Sequence, residues 1–264
     1  MLPKVFGIAL FFTMIFTLIG LAVGSLFGLP AALLLGALFF LVALLLNIIS
    51  YWYSPDIILR RYKAKVSTNK EINDIVERMA INAKIPVPKA YLLPMDVPNS
   101  FATGRGEKAA IGVTEGLLSL NKGEIEGVVA HGIWHIKDGN VSVQDFACVL
   151  AHMLHYTVIL IPLAVLLLKF SLNPTREYFA DYYGSRFSRK PRDLAAALGK
   201  MSETARQNPL RGSPAFEGIW ILDPFKREGL PRWFSTDPPT ARRKKRLEDM
   251  LHEGTPEPPD VTEV

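Results

Sequence analysis

His131 and His135 stand four residues apart, with Gly132, Ile133 and Trp134 between them. On an α-helix that spacing puts both side chains on one face, about one turn or roughly 6 Å apart, so both imidazoles can bind one metal ion. In the catalytic form of this motif, H-E-x-x-H, a glutamate follows the first histidine and acts as general base toward the water that the metal activates. Here that position is Gly132. The residues are those of a metal-holding pair that lacks its proton-transfer group.

The pair needs a helix to position it, and residues 124–137 supply one, opened by Asn121 or Lys122. Upstream, residues 70–83 place Ile72, Ile75, Val76, Met79 and Ala80 at helical period, with Thr68 or Asn69 as N-cap and Pro86 as the stop. Residues 89–93 and 109–113 are short apolar runs bounded by Pro and Gly, which predicts strands. The turn-rich link 97–106 could close a hairpin, and 115–120 predicts a short helix. Residues 192–201 and 241–250 predict two further helices. Between them, 208–239 is a Pro- and Gly-rich connection long enough to form a flap. The acidic, Pro-rich end at 253–264 predicts a disordered tail.

Composition sets the surroundings of these elements. The chain has 264 residues, 49% of them hydrophobic, and a mean hydropathy of +0.20, too apolar for an ordinary soluble domain. Two uncharged runs, 5–26 and 31–53, each have about the 20 residues that a membrane-crossing helix needs, and Gly28-Leu29-Pro30 between them predicts a hairpin. A cleaved signal peptide fits poorly, because the first run is long and a second follows it with no small-residue cleavage site. Arg60, Arg61, Lys63, Lys65 and Lys70 follow the second run while the hairpin loop is uncharged, which places the N-terminus and the main domain in the cytoplasm. The net charge of +5 and pI of 9.2 suit an anionic lipid surface, and no motif points to nucleic acid. The single cysteine, Cys148, excludes an internal disulfide and a cysteine-rich metal site, and reads as a small buried hydrophobe.

Several motifs occur in a consistent order: Pro98-Asn99-Ser100-Phe101-Ala102-Thr103-Gly104, Val113-Thr114-Glu115-Gly116-Leu117-Leu118, His131-x-x-x-His135, and Arg176-Glu177-Tyr178-Phe179-Ala180-Asp181, all behind two apolar runs. In this the chain resembles the HtpX-type membrane metalloproteases and, more distantly, the CAAX prenyl proteases. The resemblance covers nearly the whole chain. It implies a mainly α fold with a small β-sheet, a zincin-like (gluzincin) metalloprotease domain at 56–252 anchored by a two-helix hairpin at 1–55, and Zn2+ as cofactor. It also implies Glu177 as the third metal ligand beside His131 and His135. Asp181 lies four residues beyond Glu177 on the same helical face, where it could hold the outer nitrogen of a metal-bound histidine. Two histidines and one carboxylate, with a fourth position open, are the ligand set of catalytic zinc. The competing reading makes Arg176, Glu177 and Asp181 a solvated charged face.

Against this background three residues depart from the pattern. Gly132 cannot move a proton, and a positioned base is worth about 10²- to 10⁴-fold in rate. Trp134 replaces a small residue, and its indole either fills space that a substrate would enter or faces the core. Asp237 precedes Pro238-Pro239 where the family has histidine; near the metal it would repel a developing oxyanion, and otherwise it is part of a turn into the last helix. No intact catalytic group is left. Asp138 and Glu126 are too far along the helix to replace the base, which leaves Asp237 as the one candidate.

The apolar segment 146–170 raises a topological question, because one crossing would put Glu177 on the far side of the membrane from the histidines. Either the segment is a re-entrant hairpin or it is a helix buried against the domain and the N-terminal helices. Burial is preferred, since His152 and His155 are costly in lipid. Those two read as core histidines, with a second metal site as the alternative. The expected function is that of an HtpX-like membrane zinc endopeptidase homologue of the quality-control class with impaired or lost hydrolysis. The alternative is a pseudoprotease acting as a substrate-binding or regulatory partner. Extended segments of misfolded membrane proteins are the expected ligands. They would join strand 109–113 as an edge, through Ala109, Ile111 and Val113, with Asn99 and Phe101 beside them.

Overall fold

Two long apolar helices lead the chain in the computed structural model, which describes residues 2–139, 141–155, 175–210, 214–225 and 238–252. Helix α1 (Leu2–Ser25) and helix α2 (Leu29–Arg61) are both long and apolar enough to cross a membrane. Leu10, Met14, Leu18, Leu33, Leu34, Leu41 and Leu45 are exposed on their outer faces, surface that suits lipid rather than water. The two helices approach so closely that a Cβ on Gly24 would lie 2.5 Å from the Ala31 carbonyl oxygen. Asn47 Nδ2 ties them together by donating to Thr13 Oγ1 at 2.9 Å.

Helix α2 runs past residue 53, where the apolar run predicts its end, and carries Pro55 in its interior. Proline breaks one rung of the helical ladder and costs stability unless neighbours compensate. Packing supplies that here, since Ser54, Pro55 and Ile58 are all buried.

The remaining elements are β1 (Lys65–Val66), α3 (Lys70–Ala83), β2 (Lys89–Leu93), β3 (Ser100–Thr103), β4 (Ala110–Thr114), α4 (Lys122–Asp138), α5 (Val141–His155), α6 (Thr175–Ser188), α7 (Pro191–Gln207) and α8 (Thr240–His252). Single-turn helices occupy Glu115–Ser119 and Pro214–Ile219. The fold is therefore mainly α with a small sheet. Asn69 caps α3 by accepting from the Ile72 amide, and Lys84 closes it in the left-handed conformation just ahead of Pro86. A capping box of Asn121 and Glu124 starts α4.

The strand order is β1-β2-β4-β3, with β4 parallel to β2 and antiparallel to β3. This corrects the expectation that residues 109–113 form an edge. Both edges of β4 are already paired, so Ala109, Ile111 and Val113 have no free ladder to offer a peptide. The edges are β1 and β3, the latter formed from the turn-rich link.

Ile72, Ile75, Met79, Val113, Val128, Val129, Leu194 and Leu198 build the main core between α3, the sheet, α4 and α7. Helix α5 buries Phe146, Leu150 and Leu154 against Val5, Ile8 and Phe12 of α1, so its described part lies against the N-terminal helices. Residues 156–174, Asp237 and the tail 253–264 lie outside the described residues.

Candidate metal centre

Helix α6 reaches α4 because of Gly184, where a Cβ would lie 2.8 Å from both the Cα and the N of His131. That close approach brings Glu177 and Asp181 of α6 up to the histidines of α4. His131 Nε2 lies 3.1 Å from His135 Nε2 and 3.3 Å from Glu177 Oε2, and His135 Nε2 lies 3.4 Å from Glu177 Oε1. A tetrahedral zinc with nitrogen and oxygen donors at about 2.0–2.1 Å separates its ligand atoms by roughly 3.3–3.4 Å. The donor atoms therefore stand at the spacing of a shared ion. Glu177 Oε2 is buried with no hydrogen-bond partner among the described residues, a costly state that a cation would relieve. On donor type, spacing and this orphaned oxygen, the residues fit a metal ion. Among the described residues they are the one group of His, Cys, Asp or Glu side chains that does so.

Electrostatics favour the ligating forms of His135 and Glu177. Burial together with the charges of His131, Arg176 and Arg243 outweighs the pull of Glu177 and lowers the pKa of His135 to about 3, leaving a neutral imidazole. Burial opposes ionisation of Glu177, but His135, His131 and Arg243 prevail and hold it well below the usual carboxylate range. Burial likewise disfavours charge on His131, yet the hydrogen bond to Asp181 and the nearby Glu177 carboxylate keep its pKa above the ordinary value. Asp181 Oδ1 accepts from His131 Nδ1 at 3.0 Å, which fixes the tautomer and turns Nε2 toward His135 and Glu177.

Arg243 completes this arrangement and was not evident from sequence. It is fully buried, donates from Nε and Nη2 to Asp181 at 2.7 and 2.8 Å, and donates from Nη1 to the Ile221 carbonyl at 2.7 Å. Its Nη1 also lies 3.5 Å from Glu177 Oε2. Arg243 sits in the run Arg242-Arg243-Lys244-Lys245-Arg246, which looks like a solvated basic face. The available signal was Leu247, four residues on and also buried, which puts Arg243 on the inward face of α8.

The space around the ligands is about 10 Å³, room for about one water molecule. Its lining includes Gly132, Ser100 to Ala102 of β3, Gln144, and Gly218 to Ile221. The chain closes the cleft itself. Trp220 bridges Phe101 in antiparallel fashion, the Ile221 amide donates to the Ser100 carbonyl at 3.0 Å, and Asn99 Nδ2 donates to the Leu222 carbonyl at 2.7 Å. Asn99 and Phe101, expected beside a substrate, thus hold residues 220–222 along the outer edge of β3. Phe101 is buried among Tyr62 and Trp220.

Gly132 faces this cleft, since a Cβ there would lie 3.0 Å from Ile111 Cδ1 and 3.9 Å from Ala102 Cβ. Trp134 does not. Its indole stacks on Phe179 and Tyr183 of α6 at 6.2 and 6.1 Å, outside the cleft lining, so it leaves the ligand space clear. Glu126 pairs with Arg78 and Lys190, and Asp138 lies 3.8 Å from Arg176, so neither lines the cleft. His152 packs on Phe216 as a half-buried residue. Cys148 is buried, and burial pushes its thiol pKa up.

A histidine pair on one helix, a carboxylate on the next and a small sheet alongside define a metallopeptidase-type centre behind two membrane-type helices. The chain belongs to peptidase family M48 and is of the HtpX type, the family model matching residues 66–251. It is 40% identical over 248 residues to a "Protease HtpX homolog" of Pyrococcus abyssi, covering 81% of this chain and 86% of that protein. Its similarity to the homolog of Pyrococcus furiosus is 38% over 248 residues, with the same coverage of 81% and 86%. For Salinibacter ruber the figures are 34% over 263 residues, with 89% of this chain and 93% of the relative covered.

Proposed function

We propose that this chain is a membrane-anchored M48 protein that binds one zinc ion through His131, His135 and Glu177, with peptide hydrolysis impaired or lost. The observation that carries this reading is the make-up of the cleft. Beyond the three proposed ligands no titratable side chain lines it among the described residues, and the position aimed at the β3 edge is Gly132. Bound zinc would supply Lewis-acid activation of water and of a peptide carbonyl. The protein's own residues hold and orient the donors: Asp181 fixes His131, Arg243 fixes Asp181, and the neutral His135 keeps a lone pair available. What they do not provide is a group to take the proton from water and pass it to a leaving amine.

The basic residues after α2 support a cytoplasmic domain, and extended segments of misfolded membrane proteins are the ligands this reading assigns. The runner-up is a non-catalytic partner. Pairing of Trp220 and Ile221 with β3 favours regulation over peptide capture in that case, because the main-chain groups that would hold a peptide are already used. Metal analysis of the detergent-purified chain tests the proposal: one zinc per chain is expected, and a metal-free protein in zinc-containing medium would overturn it.

A further inference from the structure

Where α2 leaves its apolar stretch, two cavities meet. One, of about 510 Å³, is an apolar groove between the start of α1 and the end of α2, lined by Val5, Phe6, Ile48 and Phe146 among others. The other, of about 300 Å³, is polar and lies between α2, the turn after β3 and the start of α5. Tyr51 and Trp52 line both, so the two adjoin along one turn of α2. Both volumes fall in the range of small-molecule sites.

The polar cavity has two kinds of group. Arg105 and Lys108 provide cations: Arg105 lies 4.2 Å over the Tyr51 ring, and Lys108 is partly balanced by Asp56 at 2.8 Å. Asp145 and Ser142 provide acceptors. Asp145 is 1% exposed and spends Oδ2 on Thr103 Oγ1 and the Gly104 amide, at 2.9 and 2.7 Å. Its Oδ1, like Ser142 Oγ, is buried without a hydrogen-bond partner among the described residues. Unpaired buried acceptors are costly, and a donor in the cavity would satisfy them. A plain anion does not match this lining, because Glu107 and Asp145 oppose it. A zwitterion with an outer phosphate and an inner ammonium does.

We propose that this composite cavity binds a phospholipid with a primary-amine headgroup, its acyl chain in the apolar groove, its phosphate on Arg105 and Lys108, and its ammonium on Asp145 and Ser142. The location fits, since exposed Trp52 and Tyr53 mark an interfacial belt at the end of α2. Charge-assisted hydrogen bonds supply the selectivity: an ethanolamine nitrogen has three donors, whereas a choline nitrogen has none. The site is separate from the metal centre and does not depend on zinc.

Native mass spectrometry of the full chain in non-ionic detergent tests this, using phosphatidylethanolamine, phosphatidylcholine and phosphatidylglycerol of matched acyl length. Phosphatidylethanolamine should bind about tenfold more tightly than either competitor. Arg105→Ala should weaken all three lipids, and Ser142→Ala and Asp145→Asn should each narrow the amine preference, with thermal unfolding confirming that every variant is folded. Equal retention of the three lipids, or a preference unchanged in all variants, overturns the proposal. So does a preference for phosphatidylglycerol, which would mean attraction to anionic lipid only. Displacement of the lipid by an equimolar amount of soluble phosphoethanolamine would also contradict it, because the acyl groove would then contribute nothing.

Discussion

Arg243 lays its guanidinium across both oxygens of Asp181, and the same Asp181 holds His131 through Nδ1, so α8 braces the metal-facing histidine at one remove. Removing one partner of a buried, hydrogen-bonded ion pair leaves the other charge uncompensated, at a cost of about 3–5 kcal/mol. Arg243→Ala should lower the unfolding free energy by that amount, and Arg243→Lys should fall between because an ammonium cannot make the same fork. Denaturant unfolding in detergent measures both. A loss under about 1 kcal/mol for Arg243→Ala would show that the pair does not brace the fold.

Asp181→Asn keeps the shape and weakens the acceptor for His131 Nδ1. Loss of such a partner typically lowers metal affinity about 10- to 100-fold, and competition with a chromophoric chelator should reveal a drop of that order. Unchanged affinity would mean that His131 is oriented by packing alone.

Much of this arrangement was legible in the sequence, because its determinants are local. The four-residue spacings of His131 with His135 and of Glu177 with Asp181 are helical geometry, and the Asn121–Glu124 capping box announces α4 directly. What was not legible depends on long-range packing. Strand 110–114 lies inside the sheet because β2 pairs with it in parallel across an intervening segment, and a short apolar run does not reveal its neighbours. Arg243 is hidden in a basic run whose composition signals solvent, although its burial follows from a partner 62 residues earlier in the chain. Pro55 ends a helix by local rules and is tolerated because the domain packs around it.

Asp145 should make stability depend on pH. Burial pushes its carboxyl up to about 7 from 3.8, against the opposing hydrogen bonds of Gly104 and Thr103. An acid whose folded pKa is raised stabilises the fold most below its unfolded pKa, and that contribution is lost as pH rises through the folded value. Asp145→Asn should therefore gain stability relative to the unmodified chain as pH rises from about 4 to above 7. Melting curves at pH 5 and pH 8 check the sign, and a difference that shrinks with rising pH would contradict it.

Ile221→Pro removes the amide that donates to the Ser100 carbonyl at the β3 edge. Loss of about 1 kcal/mol there should speed hydrogen exchange across residues 214–222 roughly fivefold, while the protection of β4 stays unchanged. Equal exchange in the two proteins would mean that the segment is held by its side chains and not by the strand.

The most direct test compares the chain with Gly132→Glu, both zinc-loaded, on an unfolded protein substrate such as casein. An added Cβ at 132 meets only the end of the Ile111 side chain and, more distantly, Ala102, so the backbone at 132 can carry a side chain with a small shift of Ile111. The account predicts that both proteins hold zinc and that Gly132→Glu cleaves at least about 10²-fold faster. Zinc-dependent cleavage by the unmodified chain at the rate of the variant would contradict it.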